Sequence, residues 1–375
     1  MADAFFDSRD MMKSPGFRLM LGLAAAEYFD NPYRPFNLKS TYNADPFFMG
    51  YFPVGMHLTA VCRGLLEACR NSGFTKVFFL TRDGRLPQQA FQFLKSLDNS
   101  APEALYKPAS RRSLLAGSLN SFADFFNLPL DFPEHGCRSM LEILAFCRKA
   151  SGEAELKKKL SRAGLAWDDR FQNRAEYYRF MNFFLDKLFV PERLKESRSA
   201  ITEYFKDLAE PGAVVVDTGR AGRVICALSS ILEKPLSVFS IHREAWGPPG
   251  PRRPDGYGLF RFDDFTARPV GLFRECLLSY PGPGCLGYER RAGRVEPVYH
   301  EQGSADYPEK FILSQIQQGA LKFFKDFWLI YREFEDSLPF RAREASLPLE
   351  EFLANPSEPD AYIFSSTRSD DLVLE

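Results

Sequence analysis

The sequence predicts an α/β fold, a mainly parallel sheet flanked by helices and interrupted by a helical insertion. Three observations carry this. The run KVFFLT, residues 76–81, is almost continuously apolar and lies between segments of helical periodicity, the pattern of a buried parallel strand. The pattern returns at PGAVVVDTGRAGRVICALSSIL, residues 211–232, where an apolar strand runs through a glycine-rich turn into a helix. Between them, residues 118–208 carry aromatic and basic residues at spacings of three and four, without long β-branched runs, and read as helices.

Taken in order, residues 16–29 have helical periodicity, and the Pro- and Asn-rich segments NPYRPFN and NADPFFMGYFP then stop the helix. Their aromatic residues suit packing across the domain surface or contact with a substrate. Residues 55–71 form an amphipathic helix through Leu58, Val61, Leu65, Leu66 and Cys69, ended by Gly73. After the strand at 76–81, the loop TRDG leads into the helix LPQQAFQFLKSL, and a short strand follows at Ala104–Lys107. Ala213–Val216 and residues 236–242 are further strands, WGPPGPRRPDGYG is a turn-rich excursion, and residues 311–334 form a late helix. The expected domains are a core from residues 1–117 and 209–345, the helical insertion 118–208, and a peripheral tail 346–375.

Composition narrows the function classes. A formal charge of -1 gives no global field toward nucleic acid or an anionic membrane. No stretch reaches the length of apolar sequence needed to span a bilayer. The opening residues MADAFFDSRD lack the basic start and apolar run of a signal peptide. The seven cysteines are scattered without a CxxC pair, which suits reduced, mostly buried thiols in a cytoplasmic protein. Four widely spaced histidines give little support to a zinc site. The basic run Lys157–Lys159 reads as a solvated helix face.

Three segments carry candidate chemistry. In VVVDTGRAGR, Asp217 ends a buried strand and the turn of Gly219 and Gly222 opens a helix, an arrangement that attracts phosphate through free backbone N–H groups. Asp217 suits Mg²⁺, a hard cation that prefers oxygen ligands, and Arg220 and Arg223 suit phosphate through their planar donor forks. The competing reading is a tight turn in which Asp217 caps the helix. In FFLTRDGR, Thr81 offers a hydroxyl, Arg82 a charge, and Asp83 a metal ligand or proton acceptor, while Gly84 lets the chain turn. The competing reading is an exposed turn capped by Asp83. In PASRRSLL, Arg111 and Arg112 suit an acidic substrate or plain solvent, and Lys107 is a further phosphate candidate. Neither a Walker motif nor a dinucleotide fingerprint is present.

Together these pieces resemble a known family, the haloacid-dehalogenase-like domains of bacterial cell-surface polysaccharide proteins, often found beside glycosyltransferase domains. The resemblance lies in the order NPYRPFN, NADPFFMGYFPVG, FFLTRDGRLPQQAF, LYKPASRRSLL and VVVDTGRAGR, with a weaker echo through FRECLLSYPGPGCLGY and around Gly319. It implies a Rossmann-like sheet with a helical insertion. It implies Thr81 as the hydroxyl of the second motif, Lys107 or Arg111 as the cation of the third, and Asp217 as the metal-binding carboxylate of the fourth. The family's first motif, DxDx(T/V), supplies the nucleophilic Asp and has no match here. Asp7 to Asp10 in DSRD have neither its form nor an apolar strand before them, and the loop GRAG lacks the aromatic residue that relatives often carry after the first glycine.

The expectation is therefore a protein that binds phosphate, a sugar phosphate or a nucleotide sugar, with Mg²⁺ as the candidate cofactor, in surface polysaccharide assembly. Hydrolase activity is expected to be weak or lost. The alternatives are an active Mg²⁺-dependent phosphatase, in which Asp83 or Asp217 takes over the nucleophile's work, and a scaffold that binds a glycosyltransferase.

Overall fold

A computed structural model describes residues 14–119, 124–125, 135–218, 222–243, 255–261, 274, 276–299 and 307–365. Five strands form one parallel sheet: β1 (Lys76–Leu80), β2 (Glu103–Lys107), β3 (Ala213–Asp217), β4 (Ser237–Arg243) and β5 (Asp255–Arg261), in the order β2-β1-β3-β4-β5. Val77 pairs with Ala104 on one side and Val214 on the other. β5 begins within the segment 246–258, read from the sequence as a turn-rich excursion, and runs three residues past it. DGYGLFR pairs in parallel with β4 along its length, so backbone pairing overrides the poor strand propensity of its glycines.

Alternation along the strands divides the interior into two layers. Val77, Phe79, Val214, Val216 and Phe239 face one core, while Phe78, Leu80, Val215 and Val238 face the other. Being apolar on both faces is what makes these runs read as continuous hydrophobic sequence. The first core is covered by α1 (Pro15–Phe29), α3 (Gly55–Ser72), α4 (Arg85–Leu97), α11 (Tyr307–Tyr331) and α12 (Ala342–Ala354). The second is covered by α5 (Arg111–Ser118), α9 (Pro191–Phe205) and α10 (Arg223–Leu232).

α3 is preceded by the four-residue α2 (Pro46–Met49) and a π-helical turn at Gly50–Val54, so NADPFFMGYFP, read as a stop after the first helix, itself runs into the core helix. This stretch crosses α11 closely. A Cβ on Gly50 would sit 1.8 Å from the Ile316 carbonyl oxygen, and one on Gly319 would sit 2.0 Å from that of Phe47. Glycine on both sides of the crossing lets backbone meet backbone, which explains why the sequence keeps a glycine inside α11 despite its helix penalty.

The described part of 118–208 is helical: α6 (Cys137–Ile143), α7 (Glu153–Arg162), α8 (Arg174–Lys187) and α9. α6, α7 and α8 enclose a core of their own around Phe125, Met140, Leu160, Phe180 and Phe184, whereas α9 buries Ala200, Ile201 and Phe205 in the sheet's second core. Lys157 and Lys159 pair with Glu153 and Glu155 one turn earlier on the exposed face of α7.

Residues 346–354, read from the sequence as the start of a peripheral tail, complete α12 instead. Leu349, Phe352 and Leu353 are buried in the first core, and α13 (Glu358–Ser365) adds Ile363. On α13, Asp360 is fully buried and accepts hydrogen bonds from Ser40 Oγ, at 2.6 Å, and from the Thr41 N–H, at 2.8 Å. A hairpin of β6 (Cys285–Arg291) and β7 (Arg294–Tyr299) closes over α5 and α9.

His57 of α3 is buried, with Nδ1 2.9 Å from Ser346 Oγ of α12. Burial, and secondarily the Arg274 guanidinium, hold its pKa well below the ordinary 6.5. Below that pH the unfolded chain takes up a proton that the folded chain refuses, so this contribution to stability falls as pH falls. The expected slope is about 1.4 kcal/mol per pH unit. Urea unfolding at pH 7.5 and 5.5 checks it: the wild type is expected to lose more stability between the two than His57→Gln does. Equal losses would exclude His57 as the source.

Candidate functional site

β1 and β3 are adjacent in the sheet, although β2 and the helical segment separate them in sequence. The chain therefore reverses its direction across the sheet between them. In open α/β sheets a crevice opens at the carboxyl ends of the strands where this happens, and ligands bind there. The two motifs singled out in the sequence, TRDG and DTG, are the ends of these two strands.

Thr81 follows β1 with φ of 58°, a left-handed conformation that a β-branched residue rarely adopts. Such strain costs about 1–3 kcal/mol and concentrates at functional sites. The Thr81 hydroxyl donates to one oxygen of the Asp83 carboxylate, and the Thr218 hydroxyl donates to the other. Asp83 thus ties the loop after β1 to the loop after β3, and it is buried, as are Asp217 and Thr218. The turn closes tightly. A Cβ on Gly84 would lie 2.0 Å from the Leu80 carbonyl oxygen, so only glycine fits where α4 begins.

The helices leaving this edge share an unusual feature. α4, α5 and α10 follow β1, β2 and β3, and their first residues are Arg85, Arg111 and Arg223. None of the three has an acidic residue in its first turn. A helix N-terminus is the positive end of the macrodipole, and a cation there is unfavourable by about 0.3–1 kcal/mol. Repeating that arrangement on three helices puts three arginines at the sheet edge that also carries Asp83 and Asp217, a concentration of positive charge suited to an anion.

The other candidates are placed as follows. Lys107 is the last residue of β2, in register with Leu80. Its ammonium donates to the Tyr204 carbonyl, pairs with Asp207 at 2.6 Å, and lies 4.8 Å from the centre of the Tyr204 ring. Arg111 is half-buried behind the Ser110–Ser113 capping box. Gly222, with φ of 58°, caps α10, and Arg223 is exposed. Gly219 and Arg220 lie outside the described residues. Thr218 is not among the residues the sequence singles out, although a hydroxyl directly after Asp217 was the available signal.

Among the described residues, no group of three or more His, Cys, Asp or Glu side chains converges as a metal cage. Asp83 and Asp217, with the hydroxyls of Thr81 and Thr218, nevertheless make an all-oxygen donor set. Mg²⁺ is commonly held by one or two carboxylates, completed by water and substrate phosphate, so this chemistry fits it. A small cavity elsewhere is lined by Arg112, Ser113, Ser197, Ile201 and Tyr288, between α5, α9 and β6. Burial lowers the pKa of Arg112 there. This cavity is lined by the helices and the hairpin rather than by the two strand ends.

No protein-family model matches the chain, and no curated protein matches it. The fold itself is Rossmannoid. A small parallel sheet flanked by helices on both faces defines it, and no described helix is long and apolar enough to cross a membrane.

Proposed function

We propose that the β1–β3 edge binds a phosphate-containing ligand, a sugar phosphate or a nucleotide sugar, with Mg²⁺ held by Asp83 and Asp217. The observation that carries this is the placement of Arg85, Arg111 and Arg223 at the helix starts of the sheet edge that holds two buried carboxylates. Asp83 and Asp217 would hold Mg²⁺ through their oxygens, and its charge would reconcile the carboxylates with an anionic ligand. When bound, the ion would supply Lewis-acid stabilisation of phosphate charge. The chain's own part is to hold Thr81 and Thr218 against Asp83 and to present arginine forks to the ligand.

The resemblance to haloacid-dehalogenase-like domains of surface polysaccharide proteins supports the same reading and, with it, a role in polysaccharide assembly. Without a first-motif Asp, covalent hydrolysis lacks its nucleophile, so we expect binding with weak or no turnover. One observation favours a scaffold role instead. Both Asp83 oxygens already accept hydrogen bonds from threonines, as in a carboxylate that only locks two loops.

Calorimetry with a panel of sugar phosphates and nucleotide sugars, with and without Mg²⁺, separates these. The expected result is Mg²⁺-dependent binding, weakened about tenfold or more by Asp217→Asn, about 1.4 kcal/mol, with phosphate release at background. Turnover abolished by Asp217→Asn would restore the enzyme reading. Absence of binding across the panel would leave the scaffold.

A further inference from the structure

Beside the TRDG loop, four side chains from four separate segments gather at the carboxyl end of β1 and β2. Arg85 opens α4, and its guanidinium lies 5.0 Å from the centre of the Tyr106 ring, near the end of β2. Tyr280 is fastened to the loop itself, since its backbone N–H donates to the Arg82 carbonyl at 2.9 Å. Tyr299 ends β7 opposite Cys285, and the Cys285 carbonyl accepts from Ser110 Oγ at 2.7 Å, just past the end of β2. The hairpin is thereby anchored at the same edge. Electrostatics agree with the placement. Burial raises the pKa of Tyr106, and Tyr299, Asp83 and Arg85 all act on it. Burial likewise raises that of Tyr299, on which Cys285, Arg85 and Tyr280 act.

Tyr280 and Tyr299 are each 43% exposed, while Tyr106 is partly buried. Aromatic rings packed only to fill a core are buried, as Tyr42, Tyr51 and Tyr331 are in this protein. Two half-exposed rings held by backbone and hairpin anchors at the edge that carries Arg85 make a different object: flat apolar faces, positioned in advance.

We propose that Tyr280 and Tyr299 form a stacking shelf for the base of a nucleoside diphosphate whose phosphates reach Arg85 and the β1–β3 edge. The proposal rests on the phosphate-binding reading of that edge and narrows its ligand class. A base is the chosen occupant because a planar π-face stacks on tyrosine irrespective of base identity, and because Arg85 lies where a phosphate joined to that base would pass. The shelf therefore selects for a base without selecting strongly among bases.

The test is calorimetry on the full chain in Mg²⁺ with uridine diphosphate, adenosine diphosphate, inorganic pyrophosphate and glucose 1-phosphate. Both nucleoside diphosphates are expected to bind about tenfold or more tightly than pyrophosphate, the order of one stacked base. Tyr280→Ala and Tyr299→Ala should each remove most of that advantage and leave pyrophosphate binding unchanged. Tyr280→Phe and Tyr299→Phe should retain it, since the ring and not the hydroxyl does the stacking. Circular dichroism confirms that each variant is folded. Pyrophosphate bound as tightly as the nucleotides would overturn the shelf and leave the phosphate reading standing. Glucose 1-phosphate bound as tightly as the nucleotides, and weakened equally by the alanine variants, would give the shelf to a sugar ring and overturn the base assignment. No binding of any of the four by folded protein would remove both readings.

Discussion

Replacing Gly84 with alanine is expected to cost about 3 kcal/mol of stability, at the upper end for overpacking a tight site. The added Cβ would meet the Leu80 carbonyl oxygen at 2.0 Å and the Leu80 carbonyl carbon at 3.0 Å. Both belong to the backbone of β1, so no rotamer change relieves the clash. The turn must open, and opening it moves Asp83 away from Thr81 and Thr218. The substitution should thus lower stability and ligand binding together. Urea unfolding and calorimetry on the same sample check it, and a variant as stable as wild type would mean the turn is not closed as described. Gly73→Ala is a useful control. Its φ of 69° carries the left-handed penalty, but no atom lies within 4 Å of the added Cβ, so its effect should be limited to that backbone term.

Glu350→Ala is expected to destabilise by about 3–5 kcal/mol, the cost of removing one partner from a buried ion pair. Arg274 and Glu350 pair at 2.9 Å with side chains 3% and 10% exposed, beside His57 and Ser346 in the α3–α12 interface. Truncation leaves the Arg274 charge inside the core with its main counterion gone. The paired variant Arg274→Met with Glu350→Leu should recover much of the loss, because an apolar pair of similar volume avoids the desolvation penalty. A single Glu350→Ala variant within about 0.5 kcal/mol of wild type, the range of ordinary surface changes, would contradict this account of the pair.

The parallel sheet was legible because its central strands are buried on both faces. That burial makes KVFFL and AVVVD unbroken apolar runs, and two runs followed by polar loops and helices imply a strand edge with ligand-binding character. β5 was not legible, because DGYGLFR joins the sheet through backbone bonds to β4 while its glycines read as turn. The hairpin was hidden for a related reason. CLGYERR and RVEPVY are too charged to alternate cleanly, and the only signal was the two-residue turn of Ala292 and Gly293, both at positive φ. α12 looked peripheral because Pro348 and its acidic residues mask an apolar face of Leu349, Phe352 and Leu353.

At the site, Thr81, Asp83 and Asp217 stood out because short polar motifs followed apolar strands. The link between Asp83 and Thr218 was not legible, since it joins residues 135 positions apart and depends on β1 and β3 being neighbours. The helix starts near Arg85 and Arg223 were legible in the sequence, but that Arg111 opens a third helix at the same edge was not.

The most direct test of the central claim is a crystal structure of the full chain grown with Mg²⁺ and inorganic phosphate. The account predicts a Mg²⁺ ion about 2.0–2.1 Å from a carboxylate oxygen of Asp83 or Asp217, with phosphate between it and the helix-start arginines at the carboxyl ends of β1 and β3. Phosphate bound instead in the cavity beside Arg112, with no metal on Asp83 or Asp217, would contradict it.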